Sequence, residues 1–281
     1  MNYHTFLLLI TFLTIVIPVP GFADENNGIL DKKIGEVLIL NRSFEEALPY
    51  LMSYLSINGS DAEAWNAIGF SYNNLGRFNE AIEPLSLSTG LNSNNSIAWT
   101  NTGWALNELG YYEDALSALH NATEADPLNK YAWSTKGYAL IRLGRVDDAL
   151  SALKTALAID PDFADAWNNR GWAFAEMMQY NEAVIALRKA TDLDPLNGYA
   201  WNNLGRILYL LDMREEALRA LQNATYYEPG FDQGWYNLGN VLYSFGRYIE
   251  AEEAYRKAFQ LNPGNLIAGE NLEILEGRIL E

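Results

Sequence analysis

The chain has 281 residues, 36 acidic side chains against 19 basic ones, a formal net charge of -17 and no cysteine. That balance argues against nucleic acid or anionic lipid as partner, because both require basic surfaces. Without cysteine there are no disulfides, no thiol catalysis, no cysteine-based metal site and no lipoprotein anchor.

In chain order, Phe6 to Val19 is an uncharged apolar run, followed by Pro20-Gly21-Phe22-Ala23 and then Asp24-Glu25. The run is shorter than a membrane span needs, and Gly21 and Ala23 have the spacing a signal peptidase reads. Residues 1–23 are therefore expected to be a signal peptide cleaved after Ala23, which places the mature chain outside the cytoplasm, extracellular or at the cell-envelope exterior. The competing expectation is an uncleaved N-terminal anchor, since Met1 to Thr5 carries no Lys or Arg. Export gives meaning to the Asn-x-Ser/Thr triplets at Asn41, Asn58, Asn94, Asn121 and Asn223 as candidate N-glycosylation sites, although an Asn-rich chain produces such triplets by chance. Residues 24–60 read as a short linker and a degenerate first repeat: Ile34, Gly35, Leu38, Phe44, Ala47 and Leu51 keep the register, but Asp31 stands where a tryptophan is due.

The register is set by Trp65, Trp99, Trp133, Trp167, Trp201 and Trp235, spaced 34 residues apart. Four residues after each stands a glycine (Gly69 to Gly239) and sixteen after each an alanine (Ala81 to Ala251). A proline follows at twenty-eight in five copies, from Pro127 to Pro263, and Ser93 is the exception. Apolar residues within each half-copy follow helical spacing, and segments such as Leu109-Gly110-Tyr111 break the copy in two. A mid-helix glycine costs roughly 1 kcal/mol in propensity, so close helix–helix approach is the expected return. Each unit, over residues 61–264, is thus a helix–turn–helix hairpin stacked on its neighbours. Residues 265–281 read as a capping helix with Leu266, Leu272, Leu275 and Ile279 inward and Glu270, Glu273 and Glu276 in water.

These columns resemble the tetratricopeptide repeat (TPR) family. The resemblance implies an all-α fold, a right-handed α-α superhelical solenoid, whose first helices line a concave groove where ligands bind. By register, five after each tryptophan come Phe70, Trp104, Tyr138, Trp172, Arg206 and Asn240; eight after come Asn73, Asn107, Ile141, Ala175, Tyr209 and Tyr243. Tyr131 and Tyr199, two before theirs, are expected to reach the same surface. The aromatics at five depart from the family pattern and point to binding, with inter-repeat packing as the alternative. Asn101, Asn169, Asn203 and Asn237, two after each tryptophan, and Asn66, Asn168 and Asn202, one after, form a row of amides resembling the asparagine ladder in the TPR superhelix of O-GlcNAc transferase. Such a row can satisfy an extended peptide backbone.

Catalysis has little to draw on. His4 and His120 are the only histidines, and no metal or phosphate-binding motif is present, so neither an enzyme nor a cofactor is expected. The carboxylate pairs Glu113-Asp114, Asp147-Asp148 and Glu215-Glu216 recur at the start of each second helix, where they complement the helix dipole. The lysine column by which some TPR proteins clamp acidic C-terminal tails reads Asn66, Thr100, Ser134, Asn168, Asn202 and Tyr236 here, which excludes that mode. The expected function is a non-enzymatic scaffold binding a neutral or basic extended segment of a protein or peptide partner. The alternative is a lectin-like envelope protein binding glycans through rings and amides.

Overall fold

The computed structural model of the protein describes residues 25–279. The expected signal peptide, with His4, lies outside them. The described residues form fifteen α-helices in antiparallel pairs. The pairs are α1 Glu25–Leu40 with α2 Phe44–Ile57, α3 Ala62–Asn74 with α4 Phe78–Leu91, and α5 Ser96–Glu108 with α6 Tyr112–Ala125. Next come α7 Lys130–Arg142 with α8 Val146–Ile159, α9 Ala164–Glu176 with α10 Tyr180–Leu193, and α11 Gly198–Leu210 with α12 Arg214–Tyr227. The last pair is α13 Asp232–Ser244 with α14 Tyr248–Leu261, and α15 Leu266–Ile279 follows it.

Within each pair the repeat glycine permits the approach. A Cβ built on Gly137 would stand 2.7 Å from Leu153 Cγ, and Leu153 is fully buried. The same interlock joins Gly103 to Leu119 and, at the end of the array, Gly239 to the ring of Tyr255. The degenerate first copy keeps it too, with Gly35 under Leu51. The turn inside each pair needs one residue with positive φ, which Gly76, Gly110, Gly144 and Gly246 supply at no steric cost. Arg42, Met178 and Asp212 take that conformation in the other three copies.

Between copies the tryptophans act as fasteners. Each indole Nε1 donates to the loop carbonyl six residues earlier: Trp133 to Pro127 at 2.9 Å, Trp167 to Pro161 at 2.8 Å, and likewise from Trp65 to Trp235. These rings are half-buried, so they pin the inter-repeat turn as well as fill space. In the first copy, where Asp31 replaces tryptophan, the carboxylate accepts instead from Ser53 Oγ at 2.6 Å. Asp61, Asn95, Asn129 and Asn197 cap their helices by accepting backbone N–H groups. Phe163 and Phe231 occupy the same position and make no cap.

Successive odd-numbered helices from α1 to α13 touch one another, whereas no two even-numbered helices are in comparable contact among the described residues. The odd helices therefore crowd the inner wall of a curved stack and the even helices splay on the outer one. The core lies between the layers as a run of clusters passed from copy to copy.

The capping helix corrects the sequence reading. On α15, Ala268 and Leu275 are fully buried and Leu272 is half-buried, while Leu266 is 68% exposed. Leu272 and Leu275 thus face inward and Glu270 and Glu273 outward as expected, while Ala268 takes the inward place expected of Leu266, and Ile267 and Ile274 are exposed. Gly269 lies against the Phe259 ring of α14, where a Cβ would stand 3.1 Å from Phe259 Cε2.

Candidate functional site

The inner wall of the first four tryptophan-register copies encloses an open groove of about 1130 Å³. Its lining is ordered by register: Asn66, Ala67 and Phe70 from α3; Thr100, Asn101 and Trp104 from α5; Ser134, Thr135 and Tyr138 from α7; and Asn168 and Asn169 from α9. These are positions one, two and five after each tryptophan. Tyr131, Ile97 and Asp165, two before theirs, complete the wall, with Glu36, Ile39, Leu40 and Arg42 closing the N-terminal end.

Six of the expected site residues fall elsewhere, Trp172 on α9 among them. Arg206 and Tyr209 on α11, and Asn237 and Tyr243 on α13, do not line this groove, and neither does Asn203. Tyr209 and Tyr243 pack against the C-terminal core cluster, and the Tyr243 ring meets Tyr248 at 5.3 Å. Asn240 is spent inside the last copy, accepting from Tyr255 Oη at 2.8 Å.

The aromatics at position five have a double character. Phe70 meets Phe44 edge-on at 5.9 Å and Trp104 meets Phe78 at 6.4 Å, each partner opening the second helix of the preceding copy. Tyr138 meets Trp172 at 5.4 Å and accepts from Arg142 Nη1 at 3.0 Å. Each ring thus seals one inter-repeat seam and is left half-buried, with its remaining surface in the groove or, for Trp172, beside it with Nε1 donating to Glu176.

The asparagine row is tied to itself. Nδ2 of Asn101 donates to Asn66 Oδ1 at 2.9 Å, Asn203 to Asn168 at 3.0 Å, Asn237 to Asn202 at 2.8 Å, and Asn169 to Ser134 Oγ at 3.2 Å. Adjacent odd helices are bridged in this way, and Asn101 and Asn237 are largely buried. What remains for a ligand on the groove wall is the second half of each pair: the Nδ2 donors of Asn66 and Asn168 and the Oδ1 acceptors of Asn101 and Asn169. Asn73 and Asn107, expected on the surface, are buried at 2% exposure, and their amides donate to the backbone oxygens of Asn101 and Thr135 in the next copy.

Charged groups that the register reading passed over lie on the same wall. Glu108 and Asp165 line the groove with side chains that keep solvent exposure; the enclosing wall still strips enough water to raise both carboxyls above the usual range, with Asp194 adding to the effect at Asp165, Lys130 opposing it there, and Arg142 opposing it at Glu108. Burial raises the Tyr199 hydroxyl, with Glu228 and then Glu108 adding to the effect. The columns could have shown this: Asp165 shares a column with Tyr131 and Tyr199, and Glu108 flanks the groove face nine residues after Trp99. Phe163 and Phe231 carried no such signal. Their rings replace helix caps and pack on Tyr131 at 5.1 Å and Tyr199 at 4.7 Å, with Lys130 Nζ 4.9 Å from the Phe163 ring.

The remaining candidates are dispersed. Among the described residues no three His, Asp or Glu side chains are grouped to hold a metal, and no helix is long and apolar enough to cross a membrane. The carboxylates opening the second helices face water, and several pair with an arginine three residues earlier, as Asp148 does with Arg145 at 2.7 Å. Of the Asn-x-Ser/Thr positions, Asn41, Asn94 and Asn121 are exposed, while Asn58 and Asn223 are partly buried.

An array of α-hairpins curved around an open inner groove is the architecture of a helical-repeat protein. Tetratricopeptide repeat models match residues 62–95, 164–197 and 233–265, and a TPR repeat model matches residues 137–177. The matched segments are tetratricopeptide repeats, and the described residues stack as one solenoid of such helical hairpins. Comparison with curated protein sequences gave no match. Similar solved structures include the APC/C hetero-tetramer Cut9-Hcn1, 17% identical with a TM-score of 0.71 over 86% of this chain and 48% of that one. The protein thus spans about half the length of that neighbour. A tetratricopeptide repeat protein from Parabacteroides merdae is 13% identical, with a TM-score of 0.69 over 89% of this chain and 99% of that one. A thermophilic TPR protein in Thermus thermophilus is 22% identical, with a TM-score of 0.57 over 64% and 98%. At these identities the likeness concerns the fold.

Proposed function

We propose that the protein is a non-enzymatic scaffold that holds an extended segment of a protein partner in the concave groove running from α1 to α9. The observation that carries this reading is the groove itself. At about 1130 Å³ it exceeds the roughly 300–1,000 Å³ of a small-molecule pocket, and it is open along its length. Its walls offer partly exposed rings as anchors and spaced amide donors and acceptors for a peptide backbone. The net charge of -17 favours a neutral or basic segment. We also propose that residues 1–23 direct export and are removed, so that the scaffold works outside the cytoplasm; protein recovered outside the cell and beginning at Asp24 would support this, and intact chain held in the cytoplasm would contradict it.

The groove reading is tested with the Trp104→Ala/Tyr138→Ala variant beside the parent chain, using one partner segment and calorimetry. The expected result is binding by the parent and a loss of about 2 kcal/mol or more in the variant, as for buried aromatic anchors. Equal binding by a folded variant would refute it. A glycan array run with the same pair addresses sugars, which also stack on rings.

A further inference from the structure

We propose that the bare face of α1 docks a second copy of this chain, the two α1 helices crossing antiparallel about a two-fold axis. This contact does not depend on what the groove binds.

The first observation is a seam left open. In the six tryptophan-register copies, the residue just before the tryptophan is buried throughout, from Ala64 to Gly234, and so is the residue six after it, from Ser71 to Val241. The first copy holds Leu30 and Val37 in those two columns, and they are 48% and 53% exposed. Among the described residues no element precedes α1 to cover them. Ile29, Lys33 and Leu40 are exposed beside them, and at about 100° per residue the five form one continuous stripe along the helix. A solenoid end ordinarily presents polar residues to water. The opposite end does so, with Glu270 and Glu273 on the exposed side of α15, whereas this end presents four large apolar side chains around one lysine.

The second observation is charge. At a net charge of -17, two copies repel over much of their surface. Residues 25–42 carry no net charge, because Glu25, Asp31 and Glu36 are balanced by Lys32, Lys33 and Arg42. Within that neutral end Lys33 is exposed and has no ion pair or hydrogen bond among the described residues.

The stripe matches itself. Laid antiparallel with its midpoint near Gly35, it sets Ile29 and Leu30 against the partner's Leu40, and Lys33 beside the partner's Val37 and Glu36. Two-fold symmetry repeats each contact, so two Lys33–Glu36 pairs flank the axis and fix the register of an otherwise apolar contact. Glu36 and Leu40 also line the N-terminal end of the groove, so the pairing brings two grooves together at those ends.

The test is sedimentation equilibrium of the full chain beside three variants: Leu30→Glu/Val37→Glu, Lys33→Glu, and Lys33→Glu/Glu36→Lys. The parent should form a two-chain species. Leu30→Glu/Val37→Glu and Lys33→Glu should each weaken it about ten-fold or more, and Lys33→Glu/Glu36→Lys should restore it to within about three-fold of the parent. All four side chains are exposed, so helix content should not change; should Leu30→Glu/Val37→Glu fail to fold, the charge reversals give the reading. A parent that stays single, an open series of sizes from head-to-tail contacts, or a reversal without recovery would overturn the inference and leave the groove reading standing. If the parent stays single and Leu30→Glu/Val37→Glu lowers its melting point, the stripe is covered by the chain's own residues 1–23, and the inference falls.

Discussion

At the residue scale, the glycine column shows what spacing alone can and cannot tell. The cost of a mid-helix glycine demanded a close approach, and the structure supplies its partner in the leucine sixteen residues on. Gly137→Ala gains about 1 kcal/mol of helix propensity. It also sets a Cβ 2.7 Å from Leu153 Cγ, and such overpacking costs about 1–3 kcal/mol. The expected outcome is a lower urea midpoint than the parent's; a stabilised variant would mean that the pair has room to part. Other residues were legible only in part. Periodicity places Asn73 and Asn107 on the inner helix face, but it does not say that the next copy lies against that end of the helix. Their burial follows from stacking, which a one-copy register leaves out.

At the element scale, stability lies in the ties between copies. The Trp133 indole joins α7 to the carbonyl of Pro127 in the preceding turn, and this bond was invisible in a column that read simply as packing. Trp133→Phe keeps most of the ring and loses the donor, so it should cost about 1 kcal/mol plus the packing of the lost ring area, measured by equilibrium unfolding. No change would show that the turn is held by other contacts. The first copy is tied differently: Asp61 accepts from Lys32 Nζ and Tyr54 Oη, each at 2.7 Å, while also capping α3. Burial raises the Asp61 carboxyl, but the bonds from Lys32 and Tyr54 outweigh it and hold the group below its usual value. The unfolded chain therefore takes up this proton first as pH falls. The contribution is complete above the ordinary carboxylate value near 4 and fades below it, through the depressed folded value. Asp61→Asn keeps a capping side chain and removes the titration, so its stability should fall less than the parent's between about pH 5 and pH 2. Parallel acid curves would exclude the clasp as a source of acid sensitivity.

At the scale of the whole molecule, the tryptophan register was enough for the hairpin array and for the inner face of its first helices, because a repeat that contacts only its neighbours repeats its environment as well. It could not say where along the array the groove would be deepest. That depends on features outside the columns: α1 closing one end, Phe163 replacing a cap to support Tyr131, and Tyr209, Tyr236, Tyr243 and Tyr255 packing into the C-terminal core. The central claim, that the concave wall of α3 to α9 seats a partner segment, is tested most directly by site-specific photo-crosslinking. A photoreactive residue is placed at Phe70 or Tyr138 on the inner wall, and at His120 or Lys154 on the exposed outer helices α6 and α8. Crosslinks to a bound peptide from the inner positions alone are the expected result. Crosslinks from His120 or Lys154, with none from Phe70 or Tyr138, would move the binding surface to the convex side and contradict the account.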